Sequence, residues 1–406
     1  MTTASELAPP LSAHDQHDHQ LLVFSDDWGR HPSSCQHLVR QLLKRRPVVW
    51  FNTIGMRPPR LDAATLRRGV EKLRHWRPGR RPMPPTTAPE EASPRVVNPL
   101  MWPSFGSRWG RWLNRRLLQR AVMRVLDASK RATILTTIPV VADLVDAIPN
   151  VRWVYYCVDD FSSWPGLDGE TMGRMERQLA ERVDCVVAAG ENLAERMRGL
   201  GRSAVVMPHG VDLEAWAEPA TTSVALPSLE YPRPLVMFWG LIDQRLDMSL
   251  LQALSERLKD GTIVLVGPEQ NPPAGLADLR NVVRVGPQPF SVLPRLALQA
   301  SVLIMPYADL PVTRAMQPLK LKEYLAAGKP VVIRDLPGTA DWNDCLDACR
   351  DGQEFARLVL QRLETGIPAD QAAARRRLDR ESWRSKALQL ETLLFPASAG
   401  STSDDR

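Results

Sequence analysis

The chain has 406 residues, 44% hydrophobic and 24% charged, a globular composition long enough for two domains of ordinary size. Its formal charge of +6 is carried mostly by arginine, since only eight of the 52 basic residues are lysines. That excess suits anionic lipid, phosphorylated ligands or nucleic acid, but no zinc-finger, RRM-type or helix-turn-helix signature is present, which excludes sequence-specific nucleic-acid binding.

No apolar run approaches the ~18 residues that a membrane span needs, and the N-terminus has no apolar leader. Five cysteines (Cys35, Cys157, Cys185, Cys345, Cys349) form an odd count without metal-site spacing. Free thiols in a reducing, cytoplasmic setting are expected. Cys345 and Cys349 would lie one helical turn apart, but without a nearby histidine they make a poor zinc site.

Residues 1–20 read as a disordered tail, in which His14, His17 and His19 alternate with Asp15 and Asp18 as solvated side chains. Leu21–Ser25 is a buried strand by its apolar run. Ser33 or Ser34 caps a helix to about Arg46, and Pro47–Asn52 is the next strand. A β-loop-α-β unit of this kind starts a parallel sheet, whose ligands sit beyond the carboxyl ends of the strands. Asp26, Asp27, Trp28 and Arg30 follow the first strand and so fall near a cleft. The same aspartates could equally cap the helix.

Residues 57–95 are rich in Pro and Arg and read as an excursion; Arg95–Met101 returns to the sheet. A basic amphipathic helix follows, with Trp109, Trp112, Leu113, Leu117, Ala121 and Val125 on one face. Packing of that stripe on the sheet is the default, with contact of the arginine face with anionic headgroups as the alternative. Alternating strands and helices then run to Met207. Among them the strand Val151–Val158 ends at Asp159 and Asp160, and the half closes on PHGVD, with His209.

Residues 213–233 read as a linker. Beyond it the strands Leu235–Trp239, Thr262–Val266 and Asn281–Val285 are each followed by a glycine: Gly240, Gly267 and Gly286. Glycine there lets backbone approach a ligand. No GxGxxG or GxxxxGK[ST] pattern is present, which disfavours NAD binding and ATP hydrolysis. Arg245 stands near a helix start. The stretch PLKLKEYLAAGKPVV holds three of the eight lysines (Lys320, Lys322, Lys329) and Glu323, on a helix that ends at Gly328. Lys320 and the helix N-terminus would favour an anion. Closing helices follow, including roughly Gln371–Leu394.

PLKLKEYLAAGKPVV, preceded by SVLIMPYADLPVTRAMQ, resembles the donor-binding region of GT-B fold glycosyltransferases of the family-four (group 1) type. PHGVD is similar to the NGVD that closes their first domain. The resemblance implies an α/β fold of two Rossmann-like domains with parallel sheets facing an interdomain cleft: an acceptor domain at 21–212, a linker at 213–233, a nucleotide-sugar domain at 234–370, a closing helix at 371–395, and tails at 1–20 and 396–406. It also implies a donor site of Gly240, Arg245, Gly267, Gly286, Gln288, Lys320 and Glu323, with Glu323 on the ribose, Arg245 and Lys320 on the diphosphate, and Gly286–Gln288 at the base. Acceptor-side candidates are Asp27, Asp159, Asp160 and His209. No metal or cofactor is expected, the nucleotide-sugar being substrate; an Asp159-Asp160 metal motif is the minor alternative.

Three positions depart from the family pattern. Ala315 replaces a glutamate, Leu241 an arginine, and His209 the asparagine of NGVD. Gln317 or Thr313 could take part of the missing glutamate's role. The implied function is retaining transfer of a sugar from a nucleoside diphosphate to a glycan or lipid-linked acceptor, in surface polysaccharide or glycolipid synthesis, with contact at the inner face of the membrane. A non-catalytic binding or scaffold protein and a sugar-nucleotide epimerase are the alternatives.

Overall fold

The structure, a computed structural model, describes residues 19–29, 33–53, 93–164, 166–217 and 229–396. Nearly all of both expected tails, the Pro/Arg-rich excursion, most of the linker and Arg30 lie outside these residues. The chain divides into two compact units. The first takes the chain to Ala189, Leu193–Met207 and everything from Ala387; the second takes Gly190–Asn192 and Pro208–Lys386.

The first unit is built on a seven-stranded sheet of order β3-β2-β1-β4-β5-β6-β7. Its strands are β1 (His19–Ser25), β2 (Val48–Asn52), β3 (Arg95–Val97), β4 (Arg131–Thr136), β5 (Val151–Cys157), β6 (Cys185–Ala188) and β7 (Val205–Val206). All pairings are parallel. Continuous apolar runs such as LLVF and WVYYC form its central strands because a parallel sheet is covered on both faces. His19 and Gln20, expected in the tail, open β1 instead. The strand order reverses between β1 and β4, where Ser25 Oγ and Thr137 Oγ1 lie 2.7 Å apart. The helices are α1 (Ser34–Leu43), α2 (Arg108–Met123), α3 (Gly169–Arg182) and α4 (Glu191–Gly199), with a 3-10 segment over Pro139–Ala147. Ser33, one of the two serines expected to cap α1, accepts from the Gln36 amide.

Helix α2 turns a different face inward from the one its apolar periodicity predicts. The buried positions are Gly110, Asn114, Leu118 and Val122. Trp109 and Trp112 are 58% and 52% exposed, so they do not pack on the sheet. The cause is local. A Cβ at Gly110 would lie 2.9 Å from the Ser104 carbonyl oxygen, so the 102–107 backbone rests directly on the helix. Asn114 satisfies that loop by accepting from the Trp102 amide and donating to the Trp102 carbonyl. Close backbone approach selects small and polar residues on this face, and the tryptophans are left outside.

The second unit has a six-stranded parallel sheet of order β10-β9-β8-β11-β12-β13. Its strands are β8 (Leu235–Trp239), β9 (Thr262–Val266), β10 (Val282–Val285), β11 (Val302–Met305), β12 (Val331–Arg334) and β13 (Asp347–Cys349). Both sheets thus repeat one doubly wound order, with a reversal beside the first strand of each. The helices are α5 (Leu213–Ala217), α6 (Met248–Arg257), α7 (Leu293–Gln299), α8 (Pro311–Ala315), α9 (Lys320–Ala326), α10 (Gly352–Thr365), α11 (Ala369–Ala374) and α12 (Trp383–Leu394).

Helix α5 occupies the start of the expected linker. The single closing helix expected at 371–395 is broken into α11, a 3-10 turn over Arg375–Arg380, and α12. Cys345 ends a 3-10 segment and Cys349 lies in β13, so the two are not on one helix. From Ala387 onward α12 belongs to the first unit. There Glu391 accepts from the buried Arg46 at 2.7 Å, and the Arg46 guanidinium lies 3.8 Å from the Phe395 ring centroid.

Candidate functional site

In the second unit the three strand-end glycines fall in one row, because β8, β9 and β10 are sheet neighbours. The row is stitched by backbone: the Gly240 N–H donates to Val266 at 2.8 Å and the Gly267 N–H to Val285 at 2.9 Å. Gly240 and Gly267 have φ of +152° and +149°, which side-chain-bearing residues rarely adopt. A Cβ at Gly267 would overlap the Gly240 carbonyl oxygen. A Cβ at Gly240 would lie 2.8 Å from Lys320 Cε. The missing side chain is therefore the space through which Lys320 passes over the end of β8. Gly286 differs: it has open space around it, and its carbonyl accepts from Gln288 Nε2 at 3.3 Å.

Helix α9 sorts the residues of PLKLKEYLAAGKPVV by role. Leu321, Tyr324 and Leu325 are buried in the core. Lys322, one of the three lysines clustered in the sequence, faces away from the row. It is buried, ion-pairs with Glu381 and donates to the His209 carbonyl; burial lowers its pKa to about 8. Lys329 donates to the Leu298 carbonyl at 3.0 Å. Lys320 alone of the three reaches Gly240, and among the described residues it makes no ion pair. The helix has only two turns, so its N-terminus adds little to that charge.

Glu323 is buried, and its Oε2 accepts from Trp239 Nε1 at 3.1 Å. Trp239 stacks on Trp216 of α5, with ring centroids 5.3 Å apart, and Tyr324 Oη accepts from the Trp239 amide at 2.9 Å. Neither tryptophan is marked by any motif in the sequence. Burial raises the Glu323 carboxyl to about 7, against the opposing pull of the indole hydrogen bond and Lys320. Its ordinary value is 4.5, so between those pH values the folded state holds a proton that the unfolded chain has lost. Glu323 thus costs stability progressively as pH rises through this window, by about 3 kcal/mol once both states are ionised. Glu323→Gln keeps an acceptor for the indole. Its stability gain over the parent should be near zero at pH 4 and largest at pH 8, read by urea unfolding. A gain that does not vary with pH would contradict the assignment.

Arg245 is buried and its Nε donates to both oxygens of Asp243, each at 3.0 Å, while Nη1 points at the Met316 sulfur at 3.7 Å. Its charge is already balanced by a neighbour that the sequence pattern does not mark. Ala315 ends α8, and Thr313 does not replace the missing glutamate: its hydroxyl closes the α8 turn through Leu310 and Ala308. Gln317 packs against Gly190, and its Oε1 is buried without a hydrogen-bond partner.

Of the other candidates, His209 is buried in the second unit, in a PHGVD segment held by Trp383 and Glu381. Asp27 and Asp159-Asp160 belong to the first unit. They follow β1 and β5, which flank β4 at one end of the sheet. Asp160 is taken up structurally, accepting from Ser162 and Ser163 and pairing with Arg196 at 3.3 Å. Arg196 also pairs with the buried Glu176, which accepts from Tyr155 Oη at 2.7 Å. Beside Asp27, Asp26 accepts from Ser25, Ser33 and Gln36, and burial raises its pKa. Among the described residues no three His, Cys, Asp or Glu side chains cluster as metal ligands.

The architecture is that of GT-B proteins: two parallel-sheet, Rossmann-like domains. The fold is similar to sucrose-phosphate synthase from Thermosynechococcus elongatus (TM-score 0.63, 16% identity, 92% of this chain and 98% of that one). It is also similar to an E. coli trehalose-6-phosphate structure bound with UDP-2-fluoro glucose (TM-score 0.62, 13% identity, 92% and 98%). An Anabaena structure, HepE in complex with UDP-glucose, has TM-score 0.55 at 12% identity over 93% of this chain and 95% of that one.

Residues 233–365, a stretch within the second unit, match the family Glycosyl transferases group 1. A curated relative from Bacillus subtilis (strain 168), the putative teichuronic acid biosynthesis glycosyltransferase TuaH, is 30% identical over 175 residues. That match spans 41% of this chain and 44% of the relative, less than half of either.

Proposed function

We propose that this protein is a glycosyltransferase that moves a sugar from a nucleoside diphosphate sugar to a glycan or lipid-linked acceptor, with retention of configuration, in surface polysaccharide or glycolipid synthesis. The observation that carries it is the row Gly240, Gly267 and Gly286, with the Lys320 side chain crossing Gly240 and Glu323 buried beside it. The two strand ends without side chains leave room for a diphosphate, and Lys320, which makes no ion pair among the described residues, supplies positive charge beside it. Arg245, held by Asp243, and Gln288 complete the proposed donor site. Ionised Glu323 suits ribose hydroxyls, which would replace the indole hydrogen bond. The relative named for teichuronic acid synthesis supports the polymer class of product. The diphosphate is bound without a resident metal, so chelation should leave turnover unchanged. In the first unit the acceptor side draws on Asp27 and Asp159, with Asp160 positioning its turn; His209, in the second unit, is a separate candidate.

A thermal-shift screen of nucleotide-sugars tests the donor site directly, since a ligand held at a hundred times its Kd adds about 2.7 kcal/mol to stability. One donor should raise the unfolding temperature and then release nucleoside diphosphate on incubation with acceptor glycans. The absence of glutamate at Ala315 favours a second reading, a binding protein of the same fold. It predicts the thermal shift with no diphosphate released across any acceptor. No shift with any nucleotide-sugar would defeat both.

A further inference from the structure

Helix α2 carries its largest apolar side chains on the face that points away from the core. At 100° per residue, Trp112, Met123, Arg116 and Trp109 fall within about 60° of one another, opposite Leu118. Trp109, Trp112 and Met123 are 58%, 52% and 55% exposed. Trp102, also exposed, extends this patch from the preceding loop, its ring 5.5 Å from that of Trp109 and nearly perpendicular to it. Arg108 and Arg115 flank the apolar strip on one side, Arg120 and Arg124 on the other. All four are exposed, and among the described residues none of them pairs with an acid. Arg116 lies over the Trp112 ring at 5.6 Å. The one paired arginine, Arg111, is on the inward side, bound to Asp143 and Gln178. The helix contains no Asp or Glu.

We infer that this face of α2 with Trp102 docks the protein on the surface of an anionic lipid bilayer. The charge pattern selects the occupant. A second copy of the same face would bring arginines against arginines, and a soluble polyanion would offer no apolar phase for three tryptophans. A bilayer surface offers both an anionic headgroup layer and the acyl boundary below it, in which Trp side chains settle. Each arginine near such a surface strengthens binding about fivefold. The inward anchors Asn114 and Arg111 hold the helix while its outer face is in the lipid. The inference does not depend on which sugar is transferred, or on transfer at all.

The full chain is tested by co-sedimentation with vesicles of phosphatidylcholine alone and of phosphatidylcholine mixed with phosphatidylglycerol. Binding is expected only to the anionic vesicles, with tryptophan emission quenched by lipids brominated on the acyl chain. Arg116→Gln with Arg120→Gln should weaken binding about 25-fold. Trp109→Ser with Trp112→Ser should weaken it by about tenfold or more and remove most of the quenching. Because all four side chains are exposed, both variants should keep the parent unfolding temperature. Equal binding to neutral and anionic vesicles would overturn the proposal. So would anionic binding that the arginine pair alters and the tryptophan pair does not, which would be adsorption without insertion. A concentration-dependent dimer abolished by Trp109→Ser with Trp112→Ser, without vesicle binding, would replace it with a self-association surface.

Discussion

Lys320→Ala should lower kcat/KM for the nucleotide-sugar by about two to three orders of magnitude, while the chain unfolds at the parent temperature. The size follows from removing one preorganised charge at a leaving diphosphate, worth ~3–4 kcal/mol in comparable sites. The unchanged stability follows from the absence of any ion pair to Lys320 among the described residues, whereas Lys322 is tied to Glu381 and His209. Lys322→Ala therefore serves as the contrasting variant. It removes the buried ammonium that holds the His209 carbonyl and one partner of Glu381, which keeps only Lys386, and should lower the unfolding temperature. Equal kinetic losses in two equally stable proteins would show that Lys320 has no special place at the donor.

Gly267→Ala should be the most damaging single methyl group in the second unit. The added Cβ would overlap the Gly240 carbonyl oxygen, in a backbone conformation at φ +149° that alanine rarely adopts. Strain and overpacking together should cost on the order of 3 kcal/mol. Donor binding should fall as well, since any relief must move the end of β8 that carries Gly240. Gly286→Ala meets nothing within 4 Å and should leave stability within about 0.5 kcal/mol of the parent. Urea unfolding of the two variants decides the matter, and a Gly267→Ala chain as stable as Gly286→Ala would refute the close-approach argument.

The strands were legible because a parallel sheet covered on both faces writes itself as unbroken apolar runs, and the glycines after β8, β9 and β10 marked the site-bearing ends. The core positions of α9 were legible from their spacing too. What could not be read were contacts made across distance in the chain. Lys320 and Lys322 are two residues, and so about 200°, apart on the helix; one reaches Gly240 and the other Glu381, and nothing local tells them apart. The partner of Glu323 is an indole on β8, some eighty positions earlier. The contact of Arg245 with Asp243, two residues earlier, has no mark in the sequence pattern either. The face of α2 misled because apolar periodicity assumes that bulk points inward. Gly110 and Asn114 reverse that by admitting backbone where side chains would stand.

The chain's last helix gives the order in which the protein can be made. Glu391 and Phe395 complete the surroundings of Arg46, a residue otherwise buried with no acid at its guanidinium. During synthesis the strands of the first unit leave the ribosome long before those two residues do. The first unit lacks these two side chains until the whole second unit has been translated. A fragment stopped at Met207 would keep the buried strands of its sheet but lack both partners of Arg46, whereas the second unit draws none of its core from that last segment. A fragment of the first unit made for expression should therefore be joined to the segment from Ala387 that carries Glu391 and Phe395.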